Sequence, residues 1–202
     1  MRAPLPRLHA ITDERIARHP DLERLTGLFA QAGEGLAVHA RGRSLAGLEL
    51  YDLAIRLSGH PPIRLFVNDR LDVALAARAA GVQLTRDSLP PADARGLNAD
   101  WWIGRSAHSL EEARSALAEG ADYLLAGPVF ETASHPGVPP MGVERLEEIV
   151  RLGSPVIAIG GVSPERARVL KQAGVYGVAA IRALWDAPEP AAAARHLLEA
   201  FA

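Results

Sequence analysis

Four side chains that can move a proton or hold an anion crowd one short stretch, GPVFETASHPG, from Gly127 to Gly137: Glu131, Thr132, Ser134 and His135. An imidazole changes charge near neutral pH and can act as acid or base. The apolar run ADYLLA precedes the stretch, and glycine and proline close it. That is how a buried strand reads where it opens into a loop. His39 lies in a second apolar run, GLAVHA, with Arg41 and Arg43 just beyond. Asn68 and Asp69 follow a third, IRLFV. Asp69 is a candidate for Mg2+, which often takes one or two carboxylates and completes its shell with phosphate oxygens. Asp87 is a candidate second ligand; a loop-capping role is the alternative for Asp69, and a helix-start carboxylate that for Asp87. Gly160-Gly161 after PVIAI lets backbone approach a ligand closely. With Arg41, Arg43 and Arg182 for charge, these residues read as a phosphate site. An ordinary tight turn with solvated arginines is the rival explanation.

The elements that must position these groups repeat along the chain. Strands are expected at 7–12, 35–40, 63–68, 81–84, 101–106, 123–129, 155–160 and 177–182, each an apolar run ending in polar residues. Amphipathic segments such as ERLTGLFAQA, LDVALAARAA, SLEEARSALAEG, GVERLEEIVRL and SPERARVLKQAG lie between them. Ser109 and Ser163 read as helix N-caps, Pro164 as a first helical residue, and Gly120 and Gly174 as stops. Strands alternating with helices imply a parallel sheet. Eight such units predict an α/β chain folded as a single (β/α)8 TIM barrel, one domain over 1–202. A doubly wound open sheet is the alternative, but no G-x-G-x-x-G follows the first strand. In a (β/α)8 barrel the active site sits at the C-terminal ends of the strands. This gathers Thr12, Asp13, His39, Arg41, Arg43, Asn68, Asp69, Arg70, Thr85, Asp87, Ser88, Arg105, Ser106, His108, Glu131, Thr132, Ser134, His135, Gly160, Gly161 and Arg182 at one mouth.

Composition narrows the classes. Hydrophobic residues make up 49% of the 202, enough for a real core, and the formal net charge is -2. No basic surplus points to nucleic acid. The absence of cysteine excludes disulfides, thiolate nucleophiles and Cys-based metal centres. No histidine pair has the spacing of a helical zinc motif. No run approaches the about 20 apolar residues of a membrane span, and the N-terminus lacks a signal-peptide core. A cytoplasmic protein is expected.

The segments LHAITD, VHARGRS, VNDRLDVAL, GVQL, IGRSAHSLEEA, DYLLAGPVFET and PVIAIGGVSPE, in this order from about Leu8 to Trp185, resemble the thiamine-phosphate synthase/TenI superfamily. The resemblance implies a (β/α)8 barrel in thiamine biosynthesis and a small phosphorylated thiazole or thiamine-related ligand. Barrels of this kind often pair, so a homodimer is an expectation as well. Two activities are implied. A synthase joins a pyrimidine pyrophosphate to a thiazole phosphate with Mg2+. A TenI-type tautomerase aromatises a thiazole carboxylate phosphate without cofactor.

Residue by residue, the match is mixed. The synthase pattern Gln-Leu-Arg-x-Lys stands here as His39, Ala40, Arg41, Gly42 and Arg43. Its Asn-Asp pair is Asn68-Asp69, its second metal aspartate falls on Ser88, and its Thr-Lys pair falls on Ser134-His135. Ser106 matches a synthase serine near the substrate. Losing that lysine for a mostly neutral imidazole, with other pyrophosphate-handling groups altered, argues against an efficient synthase. The tautomerase's acid/base histidine falls on Pro128, which cannot carry a proton. The tautomerase is nevertheless the leading expectation, with His135 or His39 replacing that histidine, Glu131 assisting, and Gly161 and the strand-8 loop holding phosphate. The alternative is a synthase in which Asp69 and Asp87 hold Mg2+ and Arg41, Arg43 and His135 meet the pyrophosphate. A non-catalytic binder of thiazole or thiamine phosphates is the third reading.

Overall fold

The computed structural model describes residues 2–132 and 137–201. Its strands are β1 (Leu8–Ile11), β2 (Leu36–Ala40), β3 (Arg64–Asn68), β4 (Gly81–Leu84), β5 (Trp102–Ala107), β6 (Tyr123–Ala126), β7 (Val156–Ile159) and β8 (Gly177–Ala180). All pair in parallel with their sequence neighbours, and β8 returns to β1, closing the barrel. The helices are α1 (Glu14–Ala17), α2 (Leu22–Ala30), α3 (Gly47–Ser58), α4 (Leu71–Ala76), α5 (Pro91–Leu97), α6 (Leu110–Ala118), α7 (Gly142–Val150), α8 (Pro164–Gln172), α9 (Arg182–Trp185) and α10 (Pro190–Glu199). Among the described residues no helix is long and apolar enough to cross a membrane.

The strands read as nearly continuous apolar runs because both their faces are buried. In β1, Leu8 and Ala10 join the layer between sheet and helices, while Ile11 faces the lumen with Leu5, Phe66, Tyr123 and Ile157. His9 shares the parity of Ile11 and lies against Phe66 and Tyr123. Large lumen side chains need small residues opposite. A Cβ at Gly81 would overlap the Phe66 ring, and one at Gly104 would overlap the Tyr123 ring. The capping expectations hold: Ser109 accepts the Glu112 N–H at 3.1 Å, and Ser163 accepts that of Arg166 at 3.4 Å. Asp13 does the same for α1 through the Ile16 N–H at 2.9 Å.

Most elements shift by a residue or two from the expected bounds, and three of the early ends have a local cause or consequence. The helix after β3 stops at Ala76, short of 80, because Arg78 takes φ 52°. The chain then turns so that the Ala80 N–H reaches Leu65 O at 2.8 Å and leads into β4. Strand β6 ends at Ala126, before Pro128, which has no N–H to continue a ladder. Strand β8 ends at Ala180, and α9 begins at once.

Replacing Gly104 by alanine should therefore strain the lumen. Overpacking of a filled interior typically costs about 1–3 kcal/mol. Denaturant unfolding of Gly104→Ala should show a loss of at least that size. Unchanged stability would mean that the Tyr123 ring moves aside freely.

Candidate functional site

The loop after β2 carries the arginines, and β1 pins it. The Thr12 hydroxyl accepts the Arg41 N–H at 2.9 Å and lies 2.9 Å from the His39 carbonyl and 2.7 Å from that of Arg41. One turn on, a Glu14 carboxylate oxygen accepts the N–H groups of Arg43, at 2.5 Å, and Ser44, at 3.2 Å. Burial alone would raise the Glu14 pKa. Hydrogen bonds from backbone at Glu14, Arg43 and Ser44 outweigh it, and the carboxyl is held below its usual range. The clamp presents two cations together. Burial first, and the neighbouring Arg43 charge second, lower the pKa of Arg41, while Glu14, Asp69 and Asp13 act the other way. Among the described residues neither guanidinium forms an ion pair. Two neighbouring cations without one, the first half-buried, make a place for an anion.

Asp69, just past β3, stands beside them with φ 60°. A non-glycine residue there is uncommon, and such strain clusters at functional sites. One carboxylate oxygen, Oδ1, accepts the Thr85 N–H and hydroxyl, both at 2.8 Å, and the Ser88 hydroxyl. Oδ2 takes none of these bonds. Asp87 is exposed, and no group of three His, Asp or Glu side chains poised for a metal occurs among the described residues. Deeper in the lumen the Gln83 amide donates to the Ser106 hydroxyl at 3.1 Å. Gln83 Oε1 and the Tyr123 hydroxyl are buried without a partner among the described residues, and both flank the open side of Gly104.

His39 departs from the expectation that it projects to the mouth. It is wholly buried below Arg41, and its ring stacks on Phe66 with centroids 5.1 Å apart. Both ring nitrogens are engaged: Nδ1 lies 3.1 Å from Asn68 Oδ1 and Nε2 lies 2.8 Å from His9 Nδ1. His9 Nε2 in turn lies 3.0 Å from the Pro6 carbonyl oxygen. Burial lowers the His9 pKa to about 4, against the opposing pull of that carbonyl. Burial also lowers that of His39 well below its ordinary value, with His9 and Arg41 adding to the effect and Asn68 opposing it. A ring with both nitrogens engaged and no route to the mouth is not placed to exchange protons with a ligand.

On the far rim, Glu131 is exposed and Thr132 half-buried. Ser134 and His135 lie outside the described residues. Gly160 and Gly161 take φ 95° and 65°. Their Cα faces press on Pro128 and on Phe130 and Glu131, so any side chain would collide with the β6 loop. The Phe130 N–H donates to Gly160 O at 3.1 Å, and Arg166 donates to Gly161 O at 2.7 Å. The double glycine thus couples the β6 and β7 loops. Arg182 is exposed at the start of the single-turn α9. His108 is engaged with Glu112 at 3.0 Å. Sequence reasoning missed His9, Glu14 and Gln83, and placed Thr12 and Thr85 at the mouth without giving them a supporting role. Strand parity held the signal for His9, since Ile11 pairs with His39 and His9 lies two residues before it on the same face.

Fold and site define a (β/α)8 barrel whose mouth carries paired arginines beside a strained aspartate. The family model described as thiamine monophosphate synthase matches residues 8–184, and the chain belongs to that family. A thiamine-phosphate synthase of Salinispora tropica is 42% identical over 203 residues, covering 97% of both chains. A putative thiamine-phosphate synthase 2 of Aquifex aeolicus is 39% identical, covering 88% of this chain and 96% of its own. The structure of a thiamine phosphate pyrophosphorylase from Pyrococcus furiosus superposes with a TM-score of 0.82 at 34% identity, covering 96% and 95% of the two chains. These relatives overturn the tautomerase expectation, since full-length neighbours carry the synthase name. The burial of His39 removes one of the two histidines on which that expectation stood.

The buried histidines set a pH dependence of stability. A folded-state pKa of about 4 for His9 lies below the unfolded value of about 6.5. The unfolded chain therefore takes the proton first, and stability falls as pH drops from about 6.5 toward 4. At pH 5 His9 alone should cost about 2 kcal/mol relative to pH 7, and His39 acts in the same direction. Urea unfolding at the two pH values measures it. Equal stabilities would sink this reading of the pair.

Proposed function

We propose that the chain is a thiamine-phosphate synthase, coupling a pyrimidine carrying a methylene pyrophosphate to a thiazole phosphate. The observation that carries this is the Arg41–Arg43 pair, held by Thr12 and Glu14 at a barrel mouth and without an ion pair among the described residues. The full-length likeness to synthases supports it.

In this reaction the thiazole nitrogen forms a bond to the methylene carbon as the carbon–oxygen bond to pyrophosphate breaks. Negative charge grows on the departing oxygen, and preorganised donors aimed at it give the largest stabilisation. Arg41 is suited to that task, because its backbone is fixed and it is half-buried. Arg43 binds the same anion from the solvent side. Asn68 and Ser106 line the entry to the lumen and orient the pyrimidine. Gly160, Gly161, Arg182 and Thr132 surround the opposite rim, where barrels of this type hold a second phosphate.

Magnesium fits the donor set in a restricted way. Asp69 offers one carboxylate oxygen outside its hydrogen-bond network, and one carboxylate with substrate phosphate oxygens is a common Mg2+ shell. Ser88 spends its hydroxyl on Asp69 instead of adding a second carboxylate. When bound, the ion would neutralise charge on the leaving pyrophosphate.

Purified protein incubated with both substrates and Mg2+ should release thiamine phosphate and pyrophosphate. Arg41→Ala should lower kcat/KM by about 100-fold, the usual loss for one charge-stabilising donor. Absence of product from the wild type with Mg2+ present would overturn the assignment.

A further inference from the structure

Four polar groups stand in line through the barrel interior: the Pro6 carbonyl, the His9 ring, the His39 ring and the Asn68 amide. The junctions measure 3.0, 2.8 and 3.1 Å. Both rings are wholly buried, and Asn68 keeps 6% of its surface exposed at the end of β3. Each junction needs one proton. A carbonyl only accepts, so His9 must carry its proton on Nε2. In a neutral ring Nδ1 is then a lone pair, and His39 Nε2 must donate to it. That leaves His39 Nδ1 as a lone pair facing Asn68.

Two neutral imidazoles bring two protons to three junctions. The third has two sources. One is an extra proton on the rings, making an imidazolium. Phe66 and Tyr123 wall this part of the lumen, and the nearest charge is the Arg41 cation. No carboxylate touches either ring among the described residues. A buried, unpaired charge is costly, and burial lowers both ring pKa values. The other source is the amide itself. Turning Asn68 by 180° about its last bond exchanges its oxygen and nitrogen at nearly unchanged shape. The NH2 then donates to His39, and every junction is satisfied.

We infer that His9 and His39 are positioning residues which lock the Asn68 amide with its nitrogen toward His39 and its carbonyl oxygen toward the mouth. The oxygen is then a fixed acceptor for an N–H group of the bound pyrimidine. This use of Asn68 rests on the synthase reading; the tautomers do not. His9 touches no ligand and acts through two intervening side chains.

The first test is multiple-bond 15N–1H correlation of [15N]histidine-labelled protein at pH 7. Signals are assigned by loss in His9→Asn and His39→Gln. Both rings should be neutral and protonated on Nε2 alone. A doubly protonated ring, or His39 protonated on Nδ1, overturns the inference. In Asn68→Asp the carboxylate cannot donate, so His39 should gain a proton on Nδ1; an unchanged spectrum counts against the inference. The second test is kinetic. His9→Leu frees His39 to change tautomer and the amide to turn. The KM for the pyrimidine pyrophosphate should rise about tenfold, the effect of about one hydrogen bond, while that for thiazole phosphate should not. His9→Asn, whose amide oxygen stands in for Nδ1, should recover most of the loss. Equal rises for both substrates, or no recovery, would make His9 merely structural. A wild type that couples nothing would sink the synthase reading alone, and the spectra would still decide the tautomers.

Discussion

Water does not enter the middle of a closed barrel of short strands, so each polar atom placed there must find its partner inside. Here the lumen carries His9, His39 and Gln83 fully buried, with Asn68 nearly so. Most of them are matched to one another in a way that reaches the mouth. The Pro6–His9–His39–Asn68 line starts at the N-terminal side of β1 and ends where a ligand would sit. The Gln83–Ser106 bond is a shorter version across β4 and β5. Buried polar networks of this kind cost stability when incomplete and fix geometry when complete. The interior thus serves as scaffold for the site above it.

The same logic holds for the arginine loop. Repulsion between Arg41 and Arg43 would splay a free loop, and burial of Arg41 adds to the cost. Thr12 and Glu14 oppose both through backbone contacts across the β1–β2 gap. Their bonds go to main-chain groups, so the guanidinium faces stay available. A direct Glu14–arginine ion pair would have neutralised the charge that an anion needs. Asp69 follows a similar design, with one oxygen fixed by Thr85 and Ser88 while the other is left outside the network.

Much of this fold is written in local patterns. Eight apolar runs with polar ends, Ser109 and Ser163 as caps, and the rule that barrel sites lie at strand C-termini led to the correct topology and to the neighbourhood of Arg41, Asn68 and Asp69. Local patterns say little about what a side chain meets across the barrel. His39 was read as a mouth residue because it precedes Arg41 by two. Parity places it on the inner face, but only the closed sheet shows that Phe66 covers its ring and His9 takes its outer nitrogen. Gly160-Gly161 was read as a ligand cradle; its left-handed φ values and tight contact with Pro128 and Glu131 show that it is also a joint between loops. Both cases turn on contacts between residues far apart in sequence.

The tautomerase expectation weighed single positions against one another: a lost lysine at His135 against a lost histidine at Pro128. Such a tally treats each residue as independent, whereas an anion site depends on summed charge and fixed geometry. One cation fewer on the β6 loop matters less when Arg43 stands in the place of the synthase lysine after β2, beside Arg41. Arginine there is not a neutral exchange. Its planar fork can grip two phosphate oxygens at once, and its charge persists under partial burial. The chemistry of proton shuttling has no such substitute. A proline cannot stand in for an imidazole, and His39 is sealed in the lumen with both nitrogens engaged. Charge can be redistributed around a mouth, but a proton carrier must sit at the reacting atom, and that asymmetry favours displacement of pyrophosphate over proton transfer in this barrel.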